Sequence, residues 1–217
     1  MATRDVRPIS VLIVDDHPPL RAGVRAMLDK PSDICVVGEA ENGDEAKKLL
    51  DELRPSILLL DLKMPGFSPA KFEEWARKNY PETTTLVLTA HDRDCYLASM
   101  MDAGVAGYLE KSERAETLIA NIRAAASGKH LITLEQIDRA RKWRQETEAN
   151  WFKLTERERE VLLLMEQGLS NKTIAEKLGI TLKTVAFHVS TIFKRLDVES
   201  RHEAVAWYHK HFPKDFE

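Results

Sequence analysis

Ile57-Leu58-Leu59-Leu60-Asp61, followed by Leu62-Lys63-Met64-Pro65-Gly66, is an apolar run that closes on one acid and then on a turn. A short unbroken run of this kind, ended by Pro-Gly, reads as a strand buried on both faces, the sort found in parallel sheets. The last residue of such a strand lies at the carboxyl edge of the sheet, where open α/β folds bind their ligands. Asp61 is therefore an acid delivered to a site. On this segment alone two readings stand side by side: a nucleophile that accepts a phosphoryl group, or a strand-end carboxylate that caps the next turn.

The flanking sequence repeats the pattern. Ile9–Val14 is a second buried-strand run and ends in Asp15-Asp16. Pro18-Pro19 opens a helix with Leu20, Gly23, Val24, Met27 and Leu28 at helical spacing. Residues 35–40 read as a strand, and Ala46, Leu49, Leu50 and Leu53 as an amphipathic helix. Ser68-Pro69 reads as a cap and first turn for a helix to about Tyr80. Residues 85–89 form a fourth strand, and a helix from about Arg93 to Ala103 stops at Gly104. Gly107-Tyr108-Leu109 is a short fifth strand, and Ser112 is expected to cap a last helix to about Ala126. Five strand–helix alternations predict a doubly wound α/β domain with a five-stranded parallel sheet.

In such a sheet the polar residues at the strand ends share one edge: Asp15, Asp16, Asp61, Thr89 and Lys111. Three carboxylates brought together repel and call for a cation, and hard oxygen ligands suit Mg²⁺. A metal there neutralises charge on a phosphoryl donor while Asp61 attacks in line. Lys111 adds positive charge for the transferred oxygens, and the Thr89 hydroxyl can donate a hydrogen bond to the product. Each residue alone has a plain structural role. All five at the ends of four predicted strands favour the phosphoacceptor reading of Asp61.

The 217 residues allow one large domain or two modest ones, and 43 % apolar with 31 % charged residues is ordinary for a globular protein. No run approaches the roughly 18 apolar residues of a membrane span. Residues 1–5 do not read as the start of a signal peptide. Two cysteines, Cys35 and Cys95, read as free thiols in a reducing cytoplasm. Residues 1–150 carry 21 Lys+Arg against 25 Asp+Glu, a net of −4, while residues 151–217 carry 11 against 10, a net of +1. DNA binding by the second part therefore cannot rest on bulk charge.

Between the two parts, a helix from Thr133 to about Glu148 lacks a continuous apolar stripe and reads as a semi-rigid, mostly solvated linker. Its cluster from Arg139 to Arg144 reads as a solvated face rather than a DNA contact. Beyond it, Thr155 and Glu158 form a capping box before Val161, Leu162, Leu164 and Met165. Gly168 ends that helix, and a short one follows over residues 171–178. Gly179 makes a turn and Thr181 caps a helix to about Leu196, with Val185, Val189, Ile192 and Leu196 on its core face. Ser200 and Glu203 start a fourth helix that runs through about His211, before Pro213. Two helices joined by a tight glycine turn are the pattern of a helix-turn-helix, whose second helix enters the major groove.

Residues 9–126 resemble the receiver domain of bacterial two-component response regulators. The resemblance is carried by Val-Asp-Asp-His-Pro (14–18), Asp-Leu-Lys-Met-Pro-Gly (61–66), Leu-Thr-Ala (88–90) and Gly-Tyr-Leu-Glu-Lys (107–111). It implies a flavodoxin-like fold and phosphorylation of Asp61 by a sensor histidine kinase or a small phosphodonor. It also implies Mg²⁺ held by Asp16, Asp61 and the Lys63 carbonyl, with Asp15 acting through water, and a switch involving Thr89, an inward-turning Tyr108 and Lys111. Ser112 stands where many receivers have proline.

The last segment resembles the LuxR-type DNA-binding domain through Leu-Thr-Glu-Arg-Glu-Arg-Glu-Val-Leu (154–162), Gly-Leu-Ser-Asn-Lys-Thr-Ile-Ala-Glu-Lys-Leu (168–178), Thr-Val-Ala-Phe-His-Val (184–189) and Ile-Phe-Lys-Arg-Leu (192–196). Together the two parts look like the NarL/FixJ class. The expected organisation is a receiver at 7–128, a partly helical linker at 129–152 and a small all-α, four-helix DNA-binding domain at 153–217.

The groove face of residues 182–196, opposite the core stripe, selects Lys183, Thr184, Phe187, Ser190, Thr191 and Lys194, with Ala186 and His188 near its edges. Asn171 and Lys172 are candidate phosphate contacts. The family most often has Lys at position 186 and often Asn at 191. Phe187 is expected either to press on a thymine methyl or to pack on its own domain.

The resemblance implies a cytoplasmic bacterial regulator with double-stranded DNA, a sensor kinase and a second copy of itself as partners, and RNA polymerase as a further one. Phosphorylation would favour a homodimer that reads paired half-sites. A phosphorylation-independent regulator governed by a partner protein is the alternative. A Mg²⁺-dependent phosphohydrolase is disfavoured, because Lys63 stands where such enzymes usually keep a second acid.

Overall fold

The structure is a computed structural model that describes residues 8–64, 68–90 and 92–212, position 148 by its backbone alone. The first 7 residues, the Pro65–Gly66 turn and Pro213 lie outside the described residues.

The strands are β1 (Ile9–Val14), β2 (Ile34–Ala40), β3 (Ile57–Leu60), β4 (Thr84–Thr89) and β5 (Gly107–Glu110). They form one five-stranded sheet in the order β2-β1-β3-β4-β5, with every pairing parallel. All four residues of β3 are buried, as a central strand covered on both faces requires. The order reverses beside β1, so the crossovers from β1 and β3 leave toward opposite faces and open a crevice at their carboxyl ends.

Register decides what faces that crevice. Val14 pairs with Leu60, so Asp15 and Asp61 emerge side by side. The ladder runs one residue further: the Asp61 N–H donates to the Val14 carbonyl at 2.9 Å, and the Asp15 N–H to that of Ala40 at 3.0 Å. Across β4 and β5, Thr89 pairs with Glu110, and the Lys111 N–H donates to the Thr89 carbonyl at 2.9 Å.

Flanking the sheet are α1 (Pro18–Leu28), α2 (Gly43–Leu53), α3 (Pro69–Asn79), α4 (Asp94–Ala103) and α5 (Ala115–Ala126). Two expected caps are corrected. Ser68 occupies the cap position of α3, but its buried hydroxyl makes no cap hydrogen bond and has no partner among the described residues, and Pro69 sets the first turn. Ser112 does not cap α5, which begins at Ala115 after Arg114. A turn closed by the Glu113 N–H on the Glu110 carbonyl comes first, and the Ser112 hydroxyl donates back to Glu110 Oε2 at 3.0 Å. Gly104 ends α4 with φ of 99°, and the Arg77 guanidinium lies where its Cβ would be. The positive φ favours glycine, and a side chain there would displace the end of Arg77.

Next comes α6 (Leu134–Trp151), followed by α7 (Glu156–Glu166), α8 (Asn171–Leu178), α9 (Leu182–Leu196) and α10 (Arg201–His211). The chain divides into two compact units between Arg139 and Ala140. The second unit has its own core, with Leu154, Val161, Leu162, Ile174, Val185, Ile192 and Tyr208 at its centre. The reading of residues 129–152 as mostly solvated is corrected at both ends. Arg139 is ion-paired to Asp92 and Asp94 within the first unit, and Trp151 packs on Tyr208 and Phe212 in the second. These anchors are charge pairing and aromatic contact, neither of which registers as an apolar stripe.

Away from the crevice, Glu73 of α3 is 3 % exposed. Burial pushes its carboxyl up to about 7, against the opposing pull of a Thr85 hydrogen bond and the Arg77 charge. The folded chain therefore holds this proton more tightly than the unfolded chain, and stability is lost as pH rises through the folded value. Wild type is expected to lose up to about 3 kcal/mol relative to Glu73→Gln between pH 5 and pH 8. Urea unfolding of both proteins across that range checks it, and parallel pH profiles would remove this account.

Candidate phosphoacceptor pocket and nucleic-acid interface

At the crevice, Asp15 and Asp61 are 3 % and 4 % exposed. The Lys111 ammonium lies between them, 2.7 Å from Asp15 Oδ2 and 2.9 Å from Asp61 Oδ2. The remaining oxygens are also engaged: Asp61 Oδ1 accepts from the Leu62 N–H and Asp15 Oδ1 from the His17 N–H, both at 2.8 Å. Asp16 is half-buried, and its Oδ1 lies 2.7 Å from His17 Nδ1. Asp15, Asp16, His17 and Asp61 can each bring a ligand atom within 4.8 Å of the others. Three carboxylates against one ammonium leave two negative charges in a partly buried space, and that excess and the hard oxygen donors fit a divalent cation.

Thr89 is fully buried at the end of β4, and Tyr108 of β5 is also buried. The Tyr108 phenol is pushed up by burial first and by the Asp92 charge second. Lys63 follows Asp61 by two residues and has an exposed side chain. The sheet thus brings Lys111 into direct contact with Asp15 and Asp61 and leaves Asp16 within 4.8 Å of both acids, with Thr89 and Tyr108 on the neighbouring strands.

In the second unit the helix-turn-helix is built from local caps. Ser170 accepts from the Thr173 N–H to start α8, Gly179 ends it with φ of 64°, and Thr181 accepts from the Thr184 N–H to start α9. Leu182, Lys183, Ala186, Phe187, Ser190 and Lys194 form the exposed face of α9, and Lys172 is exposed at the start of α8. Phe187 is 68 % exposed, so it does not pack into its own domain. Thr184, His188 and Thr191 are half-buried. The Thr191 hydroxyl donates to the Phe187 carbonyl at 2.9 Å, and Asn171 Oδ1 accepts from Arg201 at 3.1 Å.

Comparison with known proteins accounts for both units. The family described as the response regulator receiver domain matches residues 11–123, and the LuxR family of bacterial regulatory proteins matches residues 153–208. The chain is a two-component response regulator of the NarL/FixJ class. It is 36 % identical to the nitrate/nitrite response regulator NarL of Escherichia coli over 207 residues, 94 % of this chain and 96 % of that one. It is also similar to the solved structure of the response regulator RcsB of Salmonella typhimurium, with a TM-score of 0.66 and 26 % identity over 92 % of this chain and 98 % of that one. An RcsB–DNA complex matches with a TM-score of 0.63 and 26 % identity, over 95 % of this chain and 100 % of the other. Among the described residues, no helix of the regulator is long and apolar enough to cross a membrane.

Three features of the regulator were not found from sequence. His17 joins the acidic cluster, and only its place directly after Asp15-Asp16 signals it. Arg139 and Gln136 are tied into the first unit by partners far away in sequence. The third concerns Glu158 of the expected capping box. The box forms, and Glu158 is also held by Arg195 of α9, whose guanidinium donates as well to the Lys153 carbonyl at 2.8 Å. One carboxylate therefore both starts α7 and fixes the exposed helix against it. Arg195→Ala leaves that buried acid without its cation and is expected to cost about 2 kcal/mol. Urea unfolding checks this, and Arg195→Lys should restore much of the loss, because a single guanidinium nitrogen reaches both acceptors and an ammonium can do the same.

Proposed function

We propose that the protein is a phosphorylation-controlled, DNA-binding transcriptional regulator in which Asp61 accepts a phosphoryl group with Mg²⁺ and paired C-terminal domains bind DNA half-sites as a dimer. The observation that carries this reading is the Lys111 ammonium bridging Asp15 and Asp61 beside Asp16, at the point where the strand order reverses. A carboxylate oxygen of Asp61 forms the new P–O bond. The bond from phosphorus to its donor atom breaks, and the leaving group, the imidazole of a sensor kinase's phosphohistidine or the carboxylate of a small acyl phosphate, departs with the electron pair. Asp16, Asp61 and the Lys63 carbonyl would hold the ion, with Asp15 acting through water. When bound, it neutralises charge on the phosphoryl oxygens. Lys111 supplies a second positive charge to those oxygens, and the Thr89 hydroxyl donates to the product.

A unit with net charge near zero binds DNA weakly alone, whereas two joined units gain from high effective concentration. Phosphorylation that favours the dimer therefore turns binding on. Selection of DNA from a random or genomic pool tests this, run with phosphodonor-treated wild type and with Asp61→Asn in parallel. Enrichment of a paired motif by the treated wild type alone is expected. Equal enrichment by both would favour the alternative, a phosphorylation-independent regulator governed by a partner protein.

Within the groove, Lys172 and Asn171 serve as phosphate contacts, and Lys183, Thr184, His188, Ser190, Thr191 and Lys194 surround Phe187. The exposed face of α9 carries Lys183, Ser190 and Lys194 as its polar groups. Phe187, exposed among them, reads by contact with a thymine methyl. Replacing the contacted thymine by uracil in the selected operator removes that methyl and is expected to weaken binding about fourfold, from about 0.8 kcal/mol of lost apolar burial. Phe187→Ala should bind both operators equally. A wild type insensitive to the exchange removes this role for Phe187.

A further inference from the structure

At the amino edge of the sheet, the end away from the crevice, the first unit holds a cavity of about 190 Å³. The second half of α3 and the first residues of β4 form part of its wall, together with Gly104 after α4 and Gly128 after α5. A cavity of about 150 Å³ holds one benzene ring, so this one admits up to about eight heavy atoms. Its polar groups are sorted by charge. Glu73, 3 % exposed, is the buried acid of the wall. The neighbouring Thr85 gives its carboxyl a hydrogen bond, yet Oε2 is buried with no hydrogen-bond partner among the described residues. A carboxylate left short of a donor in this way costs free energy until one arrives. Around the same cavity, Arg77, Lys129 and His130 are basic and exposed. The Arg77 guanidinium lies over Gly104, and among the described residues it forms no salt bridge.

We propose that this cavity binds a small zwitterion of the α-amino acid class, its ammonium on Glu73 and its carboxylate on Arg77, with Lys129 and His130 flanking the entrance. An anion alone would bring its charge against Glu73, and a cation alone would face three basic side chains. A molecule with both charges one carbon apart answers each wall with its opposite. The ammonium supplies the donor that Oε2 lacks, and it favours the ionised carboxyl that burial otherwise holds back, with a value of about 7. The size of the cavity leaves room for a side chain such as that of alanine or serine and none for an aromatic ring. The site goes beyond the phosphoacceptor reading and does not depend on it. Thr84 and Thr85 begin β4 at the cavity, and Thr89 ends the same strand at the crevice.

The test titrates the full-length protein with glycine, L-alanine and L-phenylalanine, and with acetate and methylamine as the two halves of the ligand. The backbone amides of Thr84, Thr85, Gly104 and Gly128 are followed by NMR. Glycine and L-alanine are expected to give saturable shifts there, with a midpoint on the order of 1 mM, within the affinity that so few atoms can supply. L-Phenylalanine should give none, and acetate and methylamine should each bind about tenfold more weakly or worse. Glu73→Gln keeps the shape of the wall and should weaken glycine binding by about tenfold or more, the scale of a buried charge-assisted hydrogen bond. Arg77→Gln, at an exposed position, should weaken it about threefold to tenfold. In a His130→Gln background, affinity for glycine should rise between about pH 6 and pH 8 as Glu73 loses its proton, and adding Glu73→Gln should abolish the rise. A purely structural acid would leave that profile flat. Acetate binding as tightly as glycine, or glycine binding undiminished in Glu73→Gln, overturns the proposal in favour of a plain anion site. Methylamine binding as tightly as glycine overturns it in favour of a cation site. Glycine and L-alanine that shift none of the four amides overturn the cavity as a binding site.

Discussion

Two carboxylates held side by side at the mouth of a parallel sheet repel each other, and the first unit is arranged around that repulsion. The register that pairs Val14 with Leu60 fixes Asp15 beside Asp61. The register that pairs Thr89 with Glu110 brings Lys111 into reach of both. Moving either strand by one residue would turn the acids toward a helix face and bury them unpaired, at a cost of several kcal/mol. The buried apolar strands are thus what makes the cluster tolerable, and the cluster in turn penalises alternative registers. Even so, Lys111 balances only part of the charge, and the residual negative charge is what makes the site suited to a cation.

The strands were legible because a central parallel strand must be apolar throughout, and a run such as Ile57–Leu60 has few other ways to be buried. Their polar ends followed directly, so the acids, Thr89 and Lys111 could be placed on one edge before any coordinates. The helix starts were less legible. Thr155 and Glu158 meet all the local demands of a capping box, and the box forms. Ser112 is a cap residue type too, but Ala115 stands where a capping box needs Glu or Gln, and an intervening turn takes its hydroxyl to Glu110. The linker was least legible. Arg139 finds its partners 45 and 47 residues away, and a helix without an apolar stripe gives no sign that charge pairing will dock it.

The two units solve the placement of function differently. In the first, distant strands must pair before any site exists, so the chemistry depends on long-range topology. In the second, α8 and α9 start on their own serine and threonine caps, and Glu158 with Arg195 then locks α9 to α7. The exposed face of α9 is consequently free of structural duty. Phe187 and Leu182, 68 % and 55 % exposed, stand on it without supporting the core.

The side chain of Gln136 has a mechanical consequence. Its carbonyl oxygen completes the start of α6 while its amide nitrogen holds Tyr108. These two duties also fix which way round the amide points, since Glu in its place would present a second acceptor to the Tyr108 carbonyl. The helix therefore cannot slide along its axis as a rigid rod. Drawing Gln136 away from Tyr108 either carries Thr133 with it, as a hinge in the chain before the helix, or strips the helix of its own first turn. A linker built this way yields by pivoting or by unwinding from its amino-terminal end.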